Sequence, residues 1–333
     1  MTDTHPQIPI LVVGDVMVDT VVALGATLAW GEDQNSTISR RLGGQGSNTA
    51  AWLAWAGAPA VLLASCGDDP EAQWALDRLK DLGVSVHVDR MDRPTGKCVV
   101  LVDTDGARTM ISDPGANVRT RSATRRTLHS ILATSPIAHV HLSGYLLDRD
   151  PDLVSDIVQE IKVQGFNDNG VTFTVSLDAS ALQATQSHRA AVAAILPHMN
   201  VLLGTSQELA ELLPPVLGVR DTTDDGAIGD VTPLETPDIV RRWREVVGFR
   251  GVVVVKEGSA GASADAGTGL HRTDAHVSSV IDTTGAGDAF AAGFLAAWTL
   301  DPQNLDAALA SGVDVATVAI GMVGGSPPLR EGR

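Results

Sequence analysis

The sequence predicts an α/β fold in which a doubly wound, mostly parallel sheet carries helices on both faces, with a small β-sheet beside it. Apolar runs of strand length alternate with helical segments along most of the 333 residues, a pattern typical of parallel strands buried on both faces. Two regions, about 16–42 and 86–115, hold strand-like segments with no helix between them, and a turn is expected at 103–106. These regions favour a separate small sheet, and an edge extension of the main sheet is the alternative.

The elements of the main sheet follow from these runs in chain order. Its predicted strands are residues 10–14, 61–67, 138–144, 171–178, 200–204 and 252–256. The predicted helices between them are residues 47–57, 70–82, 120–133, 150–164, 207–213 and 237–248. Residues 214–236 are expected to form an exposed acidic loop. A strand over 275–281 is expected to lead into a helix that ends near Trp298.

Composition excludes several classes of protein. A net charge of −16 argues against nucleic acid or an anionic membrane as the main partner, although it leaves an anionic small ligand open. The two cysteines, Cys66 and Cys98, have no metal-ligand spacing and make no disulfide framework, so a reduced cytoplasmic location is expected. The N-terminus lacks the basic residues of a signal peptide. The longest apolar stretch, residues 50–66, is broken by Gly57 and Pro59, so no membrane span is predicted.

The stretch DTTGAGDAF, residues 282–290, joins a predicted strand to a predicted helix. Gly285, Ala286 and Gly287 form a turn whose free backbone N–H groups would face an anion at the positive end of that helix. Asp288 then falls in the first helical turn, beside any bound anion. Alone, the pattern also fits an ordinary helix start with an acid that complements the helix dipole.

A second glycine-rich stretch, RRLGGQGSNTAAWLAWAG, covers residues 40–57. Gly43 and Gly44 end an extended segment, and Ser47 or Asn48 is placed to cap the helix that follows. Two interpretations stay open at this point. The stretch is either a tight turn with a helix cap, or a loop whose backbone and Asn48 amide bind the hydroxyl groups of a polar ligand.

The two stretches together resemble the two signatures of the ribokinase-like (PfkB) family of carbohydrate kinases. The matching segments are GGQGSN at 43–48 and DTTGAGDAFAAGF at 282–294, and further agreement comes from GDVMVD at 14–19, TG at 95–96, GAN at 115–117 and VVVVKEGSAGA at 252–262. The resemblance covers nearly the whole chain. It implies one domain over 1–333 whose small sheet, from about 16–42 and 86–115, acts as a lid.

The activity implied by the resemblance is transfer of the γ-phosphoryl group of ATP to a sugar hydroxyl. Asp288 would be the catalytic base, and Gly285, Ala286 and Gly287 would form the anion hole for the transferred group. The sugar would be bound by Asp19, Gly43, Gly44, Asn48 and Asn117. For Asp19 the alternative is a solvated acid on a strand of the lid.

Cofactor residues are implied in the same way. Lys256, Gly258 and Gly261 would line the nucleotide loop, although Lys256 also fits a simple strand end. Glu208 would organise Mg²⁺ through water, with Thr205 where the family has asparagine, and a surface helix acid is the alternative for Glu208. Asp314 would lie near the adenine. A potassium ion beside the anion hole would be bound by Asp282, the Thr284 carbonyl and Ser326.

The acceptor is less closely defined than the reaction. A ribose-like pentose or a ketohexose is favoured, but Met17 and Gln45 depart from ribokinases themselves, and a nucleoside or 2-keto-3-deoxygluconate stays open. A non-catalytic sugar-binding relative is a further alternative, which the retained Asp288 opposes. No G-x-G-x-x-G follows the first strand, which argues against a dinucleotide-dependent oxidoreductase. A homodimer through the lids is also expected, from apolar residues Val21, Val22, Val99 and Leu101.

Overall fold

The computed structural model describes residues 9–104, 108–118, 121–165, 173–180, 185–214 and 234–329. Its strands are β1 Ile10–Val13, β2 Met17–Leu24, β3 Ser36–Gly43, β4 Ala60–Cys66, β5 Ser85–Arg90, β6 Gly96–Val102, β7 Arg108–Asp113, β8 His139–Ser143, β9 Thr174–Asp178, β10 Val201–Thr205, β11 Val252–Lys256, β12 Ala262–Asp265 and β13 Leu270–Thr273. Its α-helices are α1 Gln45–Ala56, α2 Pro70–Asp81, α3 Arg121–Thr134, α4 Tyr145–Arg149, α5 Pro151–Gln164, α6 Gln186–Ile195, α7 Ser206–Leu212, α8 Thr236–Glu245, α9 Ala286–Trp298 and α10 Leu305–Ile320.

Nine strands form the main sheet, in the order β13-β12-β11-β10-β9-β8-β1-β4-β5. All neighbours from β11 to β5 are parallel, and β12 and β13 add antiparallel at one edge. The chain starts in the middle of the sheet at β1 and then builds outward in both directions. The predicted doubly wound, mostly parallel sheet is therefore confirmed.

The central strand β1 is apolar throughout because successive side chains enter two different cores. In β1, Leu11 and Val13 pack with residues of α3 and α5 to α8, whereas Ile10 and Val12 pack with residues of α1, α2, α9 and α10. All four side chains are buried. Helices on both faces are what a continuous apolar strand requires, because neither face of the sheet then contacts water.

The second sheet is separate from the first and has four strands, in the order β3-β2-β6-β7. The alternative of an edge extension of the main sheet is therefore wrong. One boundary is also corrected: residues 86–90, expected in the small sheet, lie in β5, which pairs in parallel with β4 in the main sheet. Val86 and Val88 pack against the main core. The alternation of apolar and polar residues in this segment is therefore that of a half-buried edge strand.

One apolar residue of the small sheet, Val21, is not exposed as expected. Val21 is buried beside Val100 on the inner face, so its predicted exposure is wrong. On the outer face Val99 is exposed, while Val22 and Leu101 are half-buried.

The predicted strand over 275–281 is wrong, since these residues form no strand and Val277, Val280 and Ile281 are exposed. The hairpin of β12 and β13 occupies that edge of the sheet instead. The helices α4, α6 and α10 were not predicted either. Most of the predicted loop 214–236, part of the turn at 103–106, the first residues of the strand 171–178 and residue 120 lie outside the described residues. In the part of the chain that the structure covers, no helix is long and apolar enough to cross a membrane.

The topology gathers polar residues at one edge of the main sheet. The strand order reverses between β1 and β8, and ligands of open α/β sheets bind beyond the carboxyl ends of strands at such a switch point. Asp15 follows β1, and Ser143 ends β8. The neighbouring parallel strands β9, β10 and β11 end in Asp178, Thr205 and Lys256.

Candidate active site

The two glycine-rich stretches meet at this edge. Asn48 lies in the first turn of α1, and its side-chain Nδ2 donates a 2.9 Å hydrogen bond to Oδ2 of Asp288 in the first turn of α9. The other side-chain atom of Asn48, Oδ1, is buried and accepts no hydrogen bond from any described residue. Asn48, which the sequence analysis expects to bind the sugar, therefore contacts Asp288, which it expects to be the catalytic base.

Glycine is required in the turn before each helix. Gly44 has a φ of +93°, and a Cβ there would lie 2.8 Å from the carbonyl oxygen of Asp15. Gly285 has a φ of +72°, and a Cβ would lie 2.4 Å from the carbonyl oxygen of Gly325. Only glycine combines this left-handed conformation with so close a backbone approach. These turns open the amino ends of α1 and α9 toward one another.

The first turn of α9 has the features of an anion site. Backbone N–H groups in a first helical turn have no partner within the helix, and their partial positive charge attracts an anion. The ammonium of Lys256 lies over this turn, 3.3 Å from where a Cβ of Gly287 would be. Gly285, Ala286, Gly287 and Lys256 are thus brought together around the carboxylate of Asp288.

The carboxyl of Asp288 is a weak acid in this setting. Burial raises its pKa to about 8, and the charges of Asp178 and Asp15 act in the same direction. The hydrogen bond from Asn48 and the charge of Lys256 oppose the rise. A carboxylate with a raised pKa is a better proton acceptor than an ordinary aspartate, which suits a general base working near neutral pH.

Lys256 is held by Asp178, a residue that the sequence analysis missed. The Nζ atom of Lys256 lies 2.8 and 2.9 Å from the two carboxylate oxygens of Asp178, which is almost completely buried. Burial disfavours the charged amine, but Asp178, Glu208 and Asp288 outweigh it and raise the pKa of Lys256. Asp178 ends a strand that the sequence did predict, so its position at the carboxyl edge was the available signal.

Thr205 and Glu208 form a reciprocal helix cap at the start of α7. The Thr205 hydroxyl accepts from the Glu208 N–H at 3.2 Å, and Oε2 of Glu208 accepts from the Thr205 N–H at 2.7 Å. This capping box stabilises the helix start by satisfying two backbone donors. The charge of Glu208 also helps to raise the pKa of Lys256 and of Tyr145. Glu208 therefore influences groups in the site and is not simply an acid on a surface helix.

Asp19 and Gly43 are neighbours across β2 and β3. A Cβ at Gly43 would lie 2.1–2.3 Å from the carboxylate atoms of Asp19, so a side chain at position 43 would displace that carboxylate. Burial raises the pKa of Asp19 to about 7, and the charge of Asp15 adds to the rise. Asp19 is therefore a buried acid facing the edge where α1 begins, and not a solvated residue of the small sheet.

Asn117 has a different environment from the one expected at a sugar. Its Oδ1 accepts from the Val16 N–H at 3.1 Å, and its Nδ2 donates to the Val16 carbonyl at 2.9 Å. Both ends of the buried amide therefore hold the backbone that connects β1 to β2. This clamp fixes the start of the strand that carries Asp19.

A buried polar cluster beside Asp19 was not assigned by the sequence analysis. Oδ1 of Asp15 accepts from the Gly46 N–H at 3.0 Å, and Oδ2 of Asp15 lies 3.6 Å from the Arg149 guanidinium. The Oε1 atom of Gln45 accepts hydrogen bonds from the Ser143 hydroxyl, the Gly144 N–H and the Ser180 hydroxyl. Gln45 was noted only as a departure from ribokinases, and Asp15 only as part of the matching segment GDVMVD.

The carboxylate expected to bind potassium is already engaged. Oδ1 of Asp282 accepts from the Thr284 N–H at 2.7 Å and lies 2.7 Å from the Arg108 guanidinium of β7, and Oδ2 accepts from the Gly324 N–H at 2.9 Å. Burial works against ionisation, but these hydrogen bonds and the Arg108 charge lower the pKa of Asp282. Because the positive charge of Arg108 is already paired with this carboxylate and would repel a second cation, the arrangement does not fit a potassium ion on Asp282. Ser326 follows in the same segment as Gly324.

The remaining expected nucleotide residues lie further along the same edge or on the surface. Gly258 opens a 3-10 turn, with a φ of +59° and open space around it. Gly261 closes that turn, and a Cβ there would lie only 2.0 Å from the Thr273 carbonyl oxygen, so it is needed for packing against β13. Asp314 lies on α10 and pairs with His276 at an exposed 2.7 Å contact.

Known proteins are similar to this chain in sequence and in fold. A family model described as pfkB family carbohydrate kinase matches residues 8–331. The ATP-dependent ribose-1-phosphate kinase of Halopiger xanaduensis is 30% identical over 263 residues, covering 78% of this chain and 74% of that protein. The ribokinase of Arabidopsis thaliana is 26% identical over 307 residues, covering 89% of this chain and 71% of that protein.

Among solved structures, one of Arabidopsis thaliana ribokinase complexed with ribose and ATP superposes with a TM-score of 0.73 at 22% identity, covering 96% of this chain and 94% of that one. The fold is thus shared over nearly the full length of both chains. Since the family model also spans almost all of this sequence, with both glycine-rich stretches meeting at one edge of the sheet, this chain belongs to the pfkB family of carbohydrate kinases.

Proposed function

We propose that this chain transfers the γ-phosphoryl group of ATP to a hydroxyl group of a ribose-like sugar, with Asp288 as the catalytic base. The observation that carries the proposal is the hydrogen bond between Asn48 and Asp288 at the amino end of α9. It supports the proposal because an amide suited to hydroxyl binding touches a carboxylate suited to accept a proton, in the first turn of a helix.

Each of these groups has one role in the proposed reaction. Asp288 accepts the proton of the attacking hydroxyl, which leaves the oxygen free to bond to the γ-phosphorus. The N–H groups of Gly285 to Gly287 and the charge of Lys256 stabilise the negative charge on the transferred phosphoryl oxygens. The transition state of phosphoryl transfer is loose, so holding the hydroxyl in line matters more than the strength of the base.

For the sugar, we propose contacts from Asp19, the Gly43–Gly44 backbone and Asn48. Asp19 is buried and offers two acceptor oxygens, and Oδ1 of Asn48 is an acceptor without a partner among the described residues. Such groups favour a ligand rich in hydroxyl donors. Ribose-1-phosphate and ribose, named with two of the relatives, support a ribose ring as the first acceptor to assay. A ketohexose, a nucleoside and 2-keto-3-deoxygluconate are the alternatives to be assayed.

For the nucleotide, we propose binding along the loop that holds Gly258 and Gly261, with Lys256 toward the phosphates and Asp314 toward the adenine. Mg²⁺ would be held between the phosphates of ATP and water ordered by Glu208. In the described ranges no three acidic, histidine or cysteine side chains form a metal site of their own. The phosphates would therefore supply part of the metal's ligands, as is usual for Mg²⁺.

We further propose that the small sheet closes over the sugar as a lid and that two lids pair in a homodimer. Closure would exclude water, which competes with the sugar for the phosphoryl group. The outer face of the small sheet exposes Ile38, Val99 and Ile111, a set that favours a partner surface. Cys66 and Cys98 are buried free thiols, consistent with the reduced cytoplasmic location proposed from the sequence.

The test is an assay of ADP release with ribose, ribose-1-phosphate, fructose, adenosine and 2-keto-3-deoxygluconate, each with and without Mg²⁺. Sugar-dependent ADP release and a new phosphate ester in the ³¹P NMR spectrum are the expected results. Asp288→Asn, assayed in parallel, excludes a contaminating kinase. If no acceptor increases ADP release above the rate with ATP alone, the proposed function is wrong.

A further inference from the structure

An ion pair joins the small sheet to the anion-hole turn. Arg108 begins β7, and its guanidinium lies 2.7 Å from the carboxylate of Asp282, three residues before Gly285. The side chains are only 18% and 8% exposed. A second ion pair from the small sheet, Lys97 to Glu71, is much more exposed, at 51% and 33%. An ion pair shielded from water in this way is weakened less by salt than a surface pair.

Asp282 organises the backbone on which the anion hole rests. It accepts from the N–H groups of Thr284 and Gly324, and so ties the turn before α9 to the C-terminal segment. Within that segment the carbonyl oxygen of Gly325 lies so close to Gly285 that a Cβ would be only 2.4 Å away. Any shift of the Asp282 carboxylate is therefore passed to both sides of the anion hole.

A carboxylate buried in this way needs a counter-charge. A potassium ion at this place would have to share the Asp282 oxygens with Arg108, and two cations would then lie within a few ångströms of each other. The guanidinium has the stronger position because it is covalently attached and already lies 2.7 Å from the Asp282 carboxylate. The residues present thus provide a cation that is part of the chain.

We propose that Arg108 takes the place of a monovalent metal ion at Asp282, so that phosphoryl transfer by this chain does not depend on potassium. Arg108 acts as a positioning residue, because it touches Asp282 and reaches the anion hole through it. The small sheet and the anion hole are then coupled, since the cation that supports the anion hole is carried by β7. The catalytic part of this inference rests on the proposed function.

The first test compares wild-type initial rates in potassium, sodium and choline chloride at equal ionic strength. Rates that agree among the three salts support the inference. A rate that is severalfold higher in potassium than in both other salts overturns it.

The second test removes the guanidinium and then returns it. Arg108→Gly should lower kcat by roughly tenfold or more, because a small displacement of a catalytic backbone has large effects on rate. Guanidinium chloride at millimolar, non-denaturing concentrations should restore part of the loss, whereas urea should not. Lys97→Gly, which breaks the exposed ion pair of the same sheet, is the matched control and should keep its rate. Loss without rescue by guanidinium overturns the positioning role.

A third measurement needs no turnover and separates this inference from the proposed function. The thermal unfolding midpoint of the wild type should be equal in potassium and sodium chloride, whereas Arg108→Gly should gain stability specifically from potassium or guanidinium. A potassium-specific gain in the wild type overturns the inference, even if no sugar is ever phosphorylated. Should Arg108→Gly fail to fold, the wild-type comparison still decides.

Discussion

The side-chain amide of Asn48 donates a 2.9 Å hydrogen bond to the carboxylate of Asp288, across 240 residues of chain. Each residue lies in the first turn of its helix, so two helix amino ends meet at this contact. The amide favours the ionised form of Asp288 while burial disfavours it, and burial dominates. The pair thereby keeps the carboxylate in place without removing its affinity for a proton.

Asp288→Asn should lower turnover by roughly 10²- to 10⁴-fold, the usual range for loss of a positioned acid–base group. The substituted amide has no affinity for the hydroxyl proton, but its oxygen still accepts the hydrogen bond from Asn48. ATP and sugar affinities, measured by calorimetry, should therefore stay close to those of the wild type. Turnover within a few-fold of the wild type would show that another group is the base.

The same substitution should stabilise the fold, and more so as the pH rises. Asp288 ionises near its ordinary value of 3.8 when unfolded and near 8 when folded. Between these pH values the unfolded chain has lost the proton that the folded chain still holds, so rising pH favours unfolding of the wild type. Removing the acid removes this penalty, which grows with pH until Asp288 also ionises in the folded protein.

The measurement is urea unfolding of the wild type and Asp288→Asn at several pH values from 4 to 8. The difference in unfolding free energy should be small at pH 4 and largest at pH 8. A difference that is constant across this range would mean that the pKa of Asp288 is not raised in the folded protein.

Asp19→Ala should act on the acceptor and not on the nucleotide. The substitution removes two buried acceptor oxygens and leaves the donors of a bound sugar unpaired, at a cost of about 1–3 kcal/mol. The sugar KM should rise by the factor that corresponds to this free energy, while the ATP KM stays unchanged. Lys97→Ala, on the neighbouring strand, controls for general damage to the small sheet. A larger change in the ATP KM than in the sugar KM would contradict our placement of Asp19.

The parts of the site that sequence analysis located are those with a local signal. Gly285 and Asp288 stand three residues apart at the start of α9, and Gly43, Gly44 and Asn48 stand together at the start of α1, so each set indicates a helix start within a few residues. That the two sets lie close together in the fold was inferred from the family resemblance and not from their spacing in the sequence. Strands such as β1 and β11 were equally clear, because their buried residues form continuous apolar runs.

Residues brought in by tertiary topology had no such local motif, although Asp178 does end a predicted strand. Asp178 and Arg108 are single charged residues, and only the strand order and the small sheet place them beside Lys256 and Asp282. The apolar residues before DTTGAGDAF predicted a strand, but Val280 and Ile281 are exposed in a segment that pairs with no strand. Apolar composition alone does not separate a buried strand from an exposed extended segment.

Charge placed on the outer face of the small sheet should prevent dimerisation. Ile38 and Ile111 are among its most exposed apolar residues, at 67% and 59%, and burial of such residues drives association. Light scattering at micromolar concentration should give about twice the chain mass of 34.7 kDa for the wild type and the chain mass for Ile111→Lys. Val163→Lys, on the surface of α5, should leave the dimer intact. A wild-type mass of one chain would rule out the dimer.

The last prediction compares two glycines with the same backbone conformation and different surroundings. Gly285 and Gly248 have φ values of +72° and +76°, but only at Gly285 would a Cβ meet backbone, the Gly325 carbonyl at 2.4 Å. Gly248→Ala should therefore cost only the left-handed conformation, about 1–2 kcal/mol, and leave turnover unchanged. Gly285→Ala adds a clash that nothing flexible can relieve, and the Gly325 carbonyl that must move also accepts a 2.8 Å hydrogen bond from the Trp52 indole of α1.

We expect Gly285→Ala to lower the thermal unfolding midpoint well beyond Gly248→Ala and to reduce turnover by about 10²-fold, because the anion-hole turn is displaced. Both quantities can be measured on the same preparations, by scanning calorimetry and by ADP release. If the two variants lose equal stability and Gly285→Ala keeps full activity, the close approach of Gly325 is not what holds the anion hole in place. The N–H groups of α9 would then be positioned by the helix alone.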